Sequence, residues 1–400
     1  MVEWRKLGEL ASYYRGVTYN KKQEVAPNSG GVKILRANNI LLGINSLIFD
    51  DVKEISSEVK IKDYQWLYPN DILICAGSGS KEHVGKVAFI NERIGFAYGG
   101  FMGKLVTSQE LSARFLFHII SGPLFKDYLK VALNSTTINN LNSSIINNFE
   151  IPVPSLYEQN RIVGILDTFT ASIENLKQQI EQRKKQYEHY RNLLLDPDGK
   201  PETDVVPFGE TCQMIKGNGV QKADFVENGI GCIHYGQIYT HYGPFTYTTN
   251  RFVSKEVFDK ARKASKGDII MTDTSENVED ICKSVAYLGD DDIAVSNHAL
   301  IIKHKQNPKF ISYSTFTKSF FNQKRKYAFG VKVTGIRPEH LGRIMIYLPD
   351  ITEQNRIVAI LDKFEDSISN LEQQLEQRQK QYEYYRNKLL TFEQYATLDL

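Results

Sequence analysis

The sequence predicts an α+β protein in which two domains with small, curved β-sheets are joined by two long helices that form an antiparallel coiled coil. One long segment occurs twice, at 158–195 and 353–390, and most of its positions are identical in the two copies. Apolar residues in both copies recur at alternating steps of four and three, which is typical of a coiled-coil seam. Short β-branched and aromatic runs separated by Gly, Asn and Asp precede each copy, and they favour short strands.

The repeat divides the chain into four predicted parts. A globular part at 1–152 precedes a helix at 153–196, and a second globular part at 197–348 precedes a helix at 349–400. The two globular parts keep their landmarks in the same order. One example is the turn and buried-looking strand at 69–74, which returns at 266–271 with different side chains. We therefore expect one scaffold used twice with divergent loops.

The seams of the two predicted helices match position for position. Their apolar residues are Leu166, Phe169, Ile173, Leu176, Ile180 and Tyr187 in the first copy, and Leu361, Phe364, Ile368, Leu371, Leu375 and Tyr382 in the second. One slot holds Arg183 and its counterpart Arg378. Ser155 and Asp350 offer N-caps. The other faces are polar, so the seams need cover. Antiparallel packing of one helix on the other is favoured, and the alternative is that each seam meets another protein or another copy of the chain.

Composition places the chain among globular proteins of the cytoplasm. It has 400 residues, 42% of them hydrophobic, and a net charge of +2. No run of 18 apolar residues occurs, and the first residues do not form a signal peptide, so no membrane association is expected. Cys75, Cys212, Cys232 and Cys282 are scattered, which argues against both a disulfide framework and a zinc site.

Motifs for catalysis are missing from the sequence. It has no P-loop, no H-E-x-x-H and no Asn/Asp-Pro-Pro-aromatic motif of amino-methyltransferases. Glu58 and Lys60, which follow Asp50 and Asp51, could imitate the carboxylate–lysine pair of a metal-dependent nuclease, although such spacings are common by chance. The sequence therefore predicts a chain without a catalytic site, cofactor or metal of its own.

Residues around both helices carry a family resemblance. Pro152-Val-Pro154 leads through Glu158-Gln-Asn-Arg161 to Val163, and the pattern recurs from Pro349 to Val358 with one proline fewer. Both helices end in Gln-Tyr-Glu-x-Tyr-Arg-Asn, and residues 135–142 look like the end of a target recognition domain. In these features the chain resembles the specificity (S) subunit of type I restriction-modification systems.

The resemblance implies that each globular part is a target recognition domain that reads one half of a bipartite, asymmetric site on double-stranded DNA. It also implies that the helices are spacers that dock two modification (M) subunits, which methylate adenine with S-adenosylmethionine, while restriction (R) subunits use ATP and Mg²⁺. Two alternatives remain: a coiled-coil scaffold that does not bind DNA, and a stand-alone metal-dependent endonuclease that uses Glu58 and Lys60.

Basic and polar residues in the predicted loops are the candidates for DNA contact. Candidates for phosphate contacts are Arg15, Lys21, Lys22, Arg36, Lys81, Lys222, Lys324, Arg325, Lys326 and Lys332. Candidates for reading base edges are Asn38, Asn39, Ser78, Ser80, Asn139, Asn140, His234, Tyr235, Gln237, Thr272, Thr274 and Ser275.

Overall fold

The structure is a computed structural model that describes residues 2–41, 45–134, 140–330 and 333–392. The chain forms two compact units. Unit 1 consists of Met1–Leu176 and Gln374–Leu400, and unit 2 consists of Lys177–Gln373. Each unit therefore combines one globular domain with part of each long helix.

Unit 1 contains two small sheets with helices beside them. Its strands are β1 (Glu3–Lys6), β2 (Ala11–Arg15), β3 (Glu24–Val25), β4 (Val32–Leu35), β5 (Lys53–Ile55), β6 (Ile72–Cys75), β7 (Val87–Phe89), β8 (Ala97–Tyr98), β9 (Met102–Thr107) and β10 (Glu150–Val153). Its helices are α1 (Leu7–Leu10), α2 (Ala113–Ile120), α3 (Pro123–Asn134), α4 (Ser143–Asn147) and the start of α5 (Leu156–Leu195). Among these residues the sheets run β2-β9-β6-β7 and β3-β5-β4-β8, and β1 pairs with β10.

The core of unit 1 lies between the β6 sheet and the helices. Every residue of β6 is buried, as its apolar sequence predicts, and Phe115 of α2 packs in the same cluster. Ile162 and Leu166, from the first turns of α5, belong to this cluster too. The seam of the long helix therefore begins by anchoring the helix to the domain.

Unit 2 repeats this arrangement with sheets that contain more strands. Its strands are β11 (Val205–Pro207), β12 (Cys212–Lys216), β13 (Phe225–Val226), β14 (Ile230–Ile233), β15 (Phe245–Thr246), β16 (Arg251–Val253), β17 (Lys263–Ala264), β18 (Ile269–Thr272), β19 (Thr274–Ser275), β20 (Ser284–Tyr287), β21 (Ile293–Val295), β22 (Ala299–His304), β23 (Thr334–Gly335) and β24 (Met345–Tyr347). Its helices are α6 (Phe208–Thr211), α7 (Tyr235–Thr240), α8 (Lys255–Lys260), α9 (Pro308–Thr315), α10 (Lys318–Tyr327), α11 (Pro338–Leu341) and the start of α12 (Ile351–Leu390). In this part of the described chain the two larger sheets run β12-β22-β18-β20-β15 and β13-β16-β14-β21-β17.

The two long helices pack antiparallel, as predicted. In unit 1 the ring of Phe169, early in α5, stacks on that of Tyr385, late in α12, with centroids 5.2 Å apart. In unit 2 Tyr190, late in α5, stacks on Phe364, early in α12, at 5.4 Å. The two pairs are equivalent, because the repeat relates Phe169 to Phe364 and Tyr190 to Tyr385. The predicted α+β architecture with an antiparallel helix pair is confirmed.

The predicted seam residues are buried or half-buried along both helices. Leu166 and Leu361 are fully buried, and the neighbouring polar faces are exposed. The arginines in the seam lie over aromatic rings: Arg378 is 5.7 Å from the ring centre of Phe169, and Arg183 is 5.9 Å from that of Phe364. A guanidinium can occupy an apolar seam in this way because it is attracted to the face of an aromatic ring.

Candidate nucleic-acid interface

Three segments of unit 1 meet where strand β6 ends at Cys75. The main-chain N–H groups of Ala76 and Gly77 both donate to the carbonyl oxygen of Phe101, each at 2.9 Å. The chain returns at Asn140, which bridges to Gly77 as an isolated antiparallel pair. These main-chain contacts fix where the surrounding side chains project.

An open cleft of about 1290 Å³ lies beside this junction. A concave site with a few polar groups is the usual form of a binding site. Five residues that the sequence predicted to contact DNA line the cleft together: Lys21, Arg36, Asn38, Ser78 and Asn140. They come from four separate loops, so the fold brings together candidates that are far apart in the sequence.

Asp51 organises two of these side chains. Its Oδ2 accepts hydrogen bonds from the guanidinium of Arg36 and from the amide of Asn38, both at 2.8 Å. The Asp51 side chain is about two-thirds exposed, at 65%. In the sequence this carboxylate stood out only as part of a possible nuclease motif, and its role as the partner of two candidate DNA contacts depends on the fold.

Phe101 is a further candidate, which the sequence did not predict. Phe101 is 73% exposed at the edge of the cleft, although its side chain is large and apolar. A Cβ added to Gly77 would lie 3.3 Å from Cδ1 of the Phe101 ring, so the glycine lets the ring approach the main chain. The available signal was an aromatic residue flanked by glycine in Gly99-Gly100-Phe101.

Asn39 and Arg15 have structural roles in unit 1. Asn39 is 1% exposed, and its side chain accepts from the main-chain N–H of Arg36 at 2.8 Å and donates to the carbonyl of Ile48. The amide of Asn39 is therefore used as a cap inside unit 1 and does not line the cleft. Arg15 is half-buried and donates to Oδ1 of Asn140 at 3.0 Å, so it supports a cleft residue from behind.

The remaining candidates of unit 1 lie near the cleft or outside the described residues. Lys22 is exposed beside Lys21, and the hydroxyl of Ser80 donates to Glu82 at 3.3 Å. Lys81 is in the 3₁₀ turn Lys81–His83, but its side chain is outside the described part of the chain, as is Asn139.

Unit 2 builds the same junction where strand β18 ends at Thr272. The N–H of Asp273 donates to the carbonyl of His298 at 3.2 Å, and Thr274 pairs with Gly335. Strand register supports the match, because β6 pairs Cys75 with Met102, and β18 pairs Thr272 with Ala299. His298 therefore occupies the position of Phe101, and Thr274 that of Gly77.

The turn at the start of α7 contains three of the predicted base-reading residues of unit 2. Gln237 accepts from the N–H of His234 at 3.0 Å and donates to Asn250 at 2.6 Å, so its amide is used as a cap. His234 is 6% exposed, and burial lowers its pKa, with the nearby Lys222 lowering it further. Tyr235 is half-exposed, and its ring centroid is 5.3 Å from that of His298.

A polar chain of four residues connects the base of this junction to its tip. Lys216 lies 3.1 Å from Oδ2 of Asp273, and Oδ1 of Asp273 accepts from the hydroxyl of Thr274 at 2.9 Å. The Thr274 oxygen lies 3.3 Å from Nδ1 of His298. Lys216, Asp273, Thr274 and His298 are called the polar chain below.

Three other candidates in unit 2 are buried, and their polar groups bond within the domain. The hydroxyl of Thr272 donates to the carbonyl of Asp280 at 3.1 Å, and that of Ser275 donates to the carbonyl of Asn277. Lys324 is 4% exposed. Its ammonium donates to main-chain carbonyls, including that of Glu279 at 3.1 Å, and burial lowers its pKa to about 8.

Some basic candidates of unit 2 remain accessible. Lys222 is exposed at the turn equivalent to that of Lys21, and Arg325 and Lys326 are exposed on α10. Lys332 is outside the described residues.

The contact between α2 and α5 in unit 1 is polar and partly buried. Oδ1 of Asp167 accepts from Arg114 at 2.8 Å and lies 2.9 Å from Nε2 of His118, whose Nδ1 lies 3.0 Å from the hydroxyl of Tyr382. His118 is fully buried, and this burial lowers its pKa although Asp167 acts in the opposite direction. The neutral imidazole therefore joins α2 to both long helices.

Unit 2 makes the same contact with different residues. Asp362 accepts from Lys309 at 2.8 Å and from the hydroxyl of Tyr313 at 2.7 Å. Under the offset that relates the two long helices, these residues are the counterparts of Asp167, Arg114 and His118. The sequence shows close identity only in the helices and a shared order of landmarks in the domains, and these contacts add equivalent individual positions within the domains.

The described parts of the chain contain no group of three or more His, Cys, Asp or Glu residues placed to hold a metal ion. Among the helices built from these residues, none combines the length and apolar character needed to cross a bilayer.

The duplicated architecture and the paired junctions correspond to a known family. A family model described as "Type I restriction modification DNA specificity domain" matches residues 1–183 and 203–379. The two matches cover most of the chain and both units. This protein belongs to the family of type I restriction-modification specificity subunits.

Individual relatives agree with this assignment. A Haemophilus influenzae protein, provisionally named as the type I restriction enzyme specificity subunit S.HindORF215P, is 26% identical over 98% of this chain and 96% of its own length. The EcoR124I/EcoR124II specificity subunit of Escherichia coli is 31% identical over 61% of this chain and 63% of its own length.

A solved structure supports the fold. The crystal structure of the type I restriction-modification S subunit from M. genitalium aligns with a TM-score of 0.54, covering 98% of this chain and 97% of that chain. Its sequence identity is 15%, so the likeness concerns the fold alone.

Proposed function

We propose that this chain is the DNA-recognition subunit of a type I restriction-modification complex and that each unit reads one half of a bipartite, asymmetric DNA site. The observation that carries the proposal is the pair of equivalent junctions. Main-chain hydrogen bonds of the same pattern present Phe101 and Gly77 in unit 1, but His298 and Thr274 in unit 2. A common frame with different tips is what two readers of different sequences require.

The unit 1 cleft supplies both kinds of contact that such reading needs. Lys21 and Arg36 provide positive charge for phosphates, which sets position without sequence information. Asn38, Ser78 and Asn140 provide hydrogen-bonding groups of the kind that recognise base edges in the major groove. Lys222 of unit 2 begins the 3₁₀ turn equivalent to that of Lys21.

The proposal assigns assembly to the long helices and catalysis to other subunits. Modification subunits dock on the helices and methylate adenine with S-adenosylmethionine, and restriction subunits add ATP- and Mg²⁺-dependent cleavage. Membership of the specificity-subunit family supports this division. The chain itself is then expected to show no turnover with DNA, Mg²⁺ and S-adenosylmethionine until a modification subunit is added.

Exchange of one domain tests the proposal directly. Residues 1–152 are replaced by the corresponding part of a relative, and the methylated motif is mapped by long-read sequencing in cells that also express the modification subunit. One half of the motif should change and the other should stay. The matched control replaces residues 197–348 and should change the other half. Exchanges that alter both halves, or neither, would contradict the proposal.

A further inference from the structure

The polar chain of unit 2 determines which nitrogen of His298 carries the proton. The hydroxyl of Thr274 has one proton, and it donates that proton to the carboxylate of Asp273 at 2.9 Å. A carboxylate paired with Lys216 has no proton to return, so the Thr274 oxygen can only accept from His298. The contact at 3.3 Å therefore runs from Nδ1–H of His298 to Thr274.

This assignment leaves Nε2 of the neutral imidazole without a proton. The second nitrogen of a histidine becomes an acceptor when the first one donates. The polar chain thus turns an ambiguous side chain into one with a defined hydrogen-bonding sense. The unprotonated Nε2 of His298 can accept a hydrogen bond from a donor group on a bound partner.

The placement of His298 fits a reading role. The residue is exposed at the tip of the junction, where Phe101 projects in unit 1. Its φ of 64° lies in the left-handed region, which costs energy for a residue with a side chain. Three contacts hold His298 in this conformation. Its carbonyl oxygen accepts from the N–H of Asp273, its Nδ1 contacts the hydroxyl of Thr274, and its ring lies beside that of Tyr235.

We infer that His298 accepts a hydrogen bond from the exocyclic amino group of adenine or cytosine in the half-site read by unit 2. In the major groove adenine N6 and cytosine N4 are donors, whereas guanine O6 and N7 and thymine O4 are acceptors. An acceptor on the protein attracts the first pair and repels the second. This inference rests on the proposed DNA-recognition function and adds the chemistry of one position.

Unit 1 lacks this device at the equivalent place. The positions of Asp273 and Thr274 are occupied by Ala76 and Gly77, and the tip residue is Phe101, which cannot accept from an amino group. An amino-group preference read by the tip residue should therefore be confined to unit 2. Phe101 provides the internal comparison for the experiment.

The test begins with selection of the preferred motif from random duplex DNA by the full chain in complex with its modification subunit. Each adenine of the unit 2 half-site is then replaced by purine deoxyriboside, which lacks the N6 amino group. Each cytosine is replaced by the pyrimidin-2-one deoxyriboside, which lacks the N4 amino group. We expect one replacement to weaken binding about five- to tenfold, as for loss of one hydrogen bond. Whether the purine or the pyrimidine analogue has this effect identifies the base.

Variants assign the effect to the polar chain. H298F should remove the response to the analogue while the rest of the motif is unchanged. T274V should weaken or reverse the preference at the same position, because the imidazole can then carry its proton on Nε2. T274S keeps the hydroxyl and should behave as the wild type, and circular dichroism verifies that each variant folds.

The outcomes separate the inference from the function that it depends on. If no motif is enriched, the proposed function fails. If a motif is enriched but every amino-lacking analogue in the unit 2 half-site binds as well as the parent, the inference about His298 is overturned and the function stands. Equal behaviour of T274V and T274S would also overturn it.

Discussion

The junctions of the two units share the main-chain bond that links the end of the buried strand to the tip residue, but they differ in side-chain chemistry. In unit 1 the tip is an exposed aromatic ring, Phe101, packed over Gly77, and in unit 2 it is His298 held by Thr274. The contacts that join each domain to the helices vary less: an aspartate, Asp167 or Asp362, is kept in both units. The side chains at the tips of the two units have therefore diverged, whereas the contacts of Asp167 and Asp362, called the helix junctions below, have kept their role.

The largest expected effect concerns the helix junctions. D167A and D362A should each lower the free energy of unfolding by about 2 kcal/mol, because each removes the carboxylate partner of a fully buried side chain, His118 or Tyr313. Urea denaturation measures the change, and E181A, which removes an exposed ion pair on α5, serves as a control that should leave the midpoint unchanged. Loss of stability in only one of the two aspartate variants would show that the junctions are not equivalent.

The next effect concerns the two equivalent lysines. K21A and K222A should each weaken DNA binding and reduce the slope of log affinity against log salt by about 0.9, the value for one phosphate contact. Fluorescence anisotropy across a salt series measures both quantities. K185A, on the exposed face of α5, is the matched control. A slope that responds to only one of the two lysines would mean that the units hold the backbone differently.

A smaller effect is that the stability contributed by the two helix junctions should depend differently on pH. Burial holds the pKa of His118 below its ordinary value, so the unfolded chain binds a proton first as the pH falls below about 6.5. Stability contributed by His118 is thus present above that pH and is lost as the pH falls toward the folded-state pKa. H118Q should make unfolding less sensitive to acid between pH 7 and 5. Y313F, at the equivalent position, should leave that pH dependence unchanged, and an unaltered slope in H118Q would contradict the assignment.

The smallest effect tests the arginines in the seam. R378Q and R183Q each remove a guanidinium from an aromatic ring and should cost about 0.5 kcal/mol. Thermal unfolding measured for both variants should give matching shifts, because the two sites are related by the repeat. A clear difference between them would indicate that the seam is not used symmetrically.

The fold could be predicted from the sequence because its signals are local and repeated. The four-three spacing identified both helices, and the turns before β6 and β18 marked equivalent buried strands. The seam arginines also appeared as one slot in both copies. Each of these features is carried by neighbouring residues, so no long-range contact had to be known.

The candidate site was predicted only in part, because its residues meet through long-range contacts. Lys324, Arg325 and Lys326 look alike as a basic run, but three successive helical residues point in different directions, and only Lys324 turns into the core. Asn39 and Gln237 look like base readers but cap their own turns. Phe101 and His298 were passed over because their positions depend on main-chain partners that are distant in the sequence.

Unit 1 is built from both ends of the chain, and this affects its folding during synthesis. Tyr382, Leu389 and Phe392, from the end of α12, pack against the core that begins with Leu7. A ribosome that has finished residue 176 must add roughly 200 more residues before this cover exists, which takes ~10–40 s at ordinary elongation rates. The apolar residues at the start of α5 lack this cover during that interval. The first domain to be synthesised is therefore the last to complete its core.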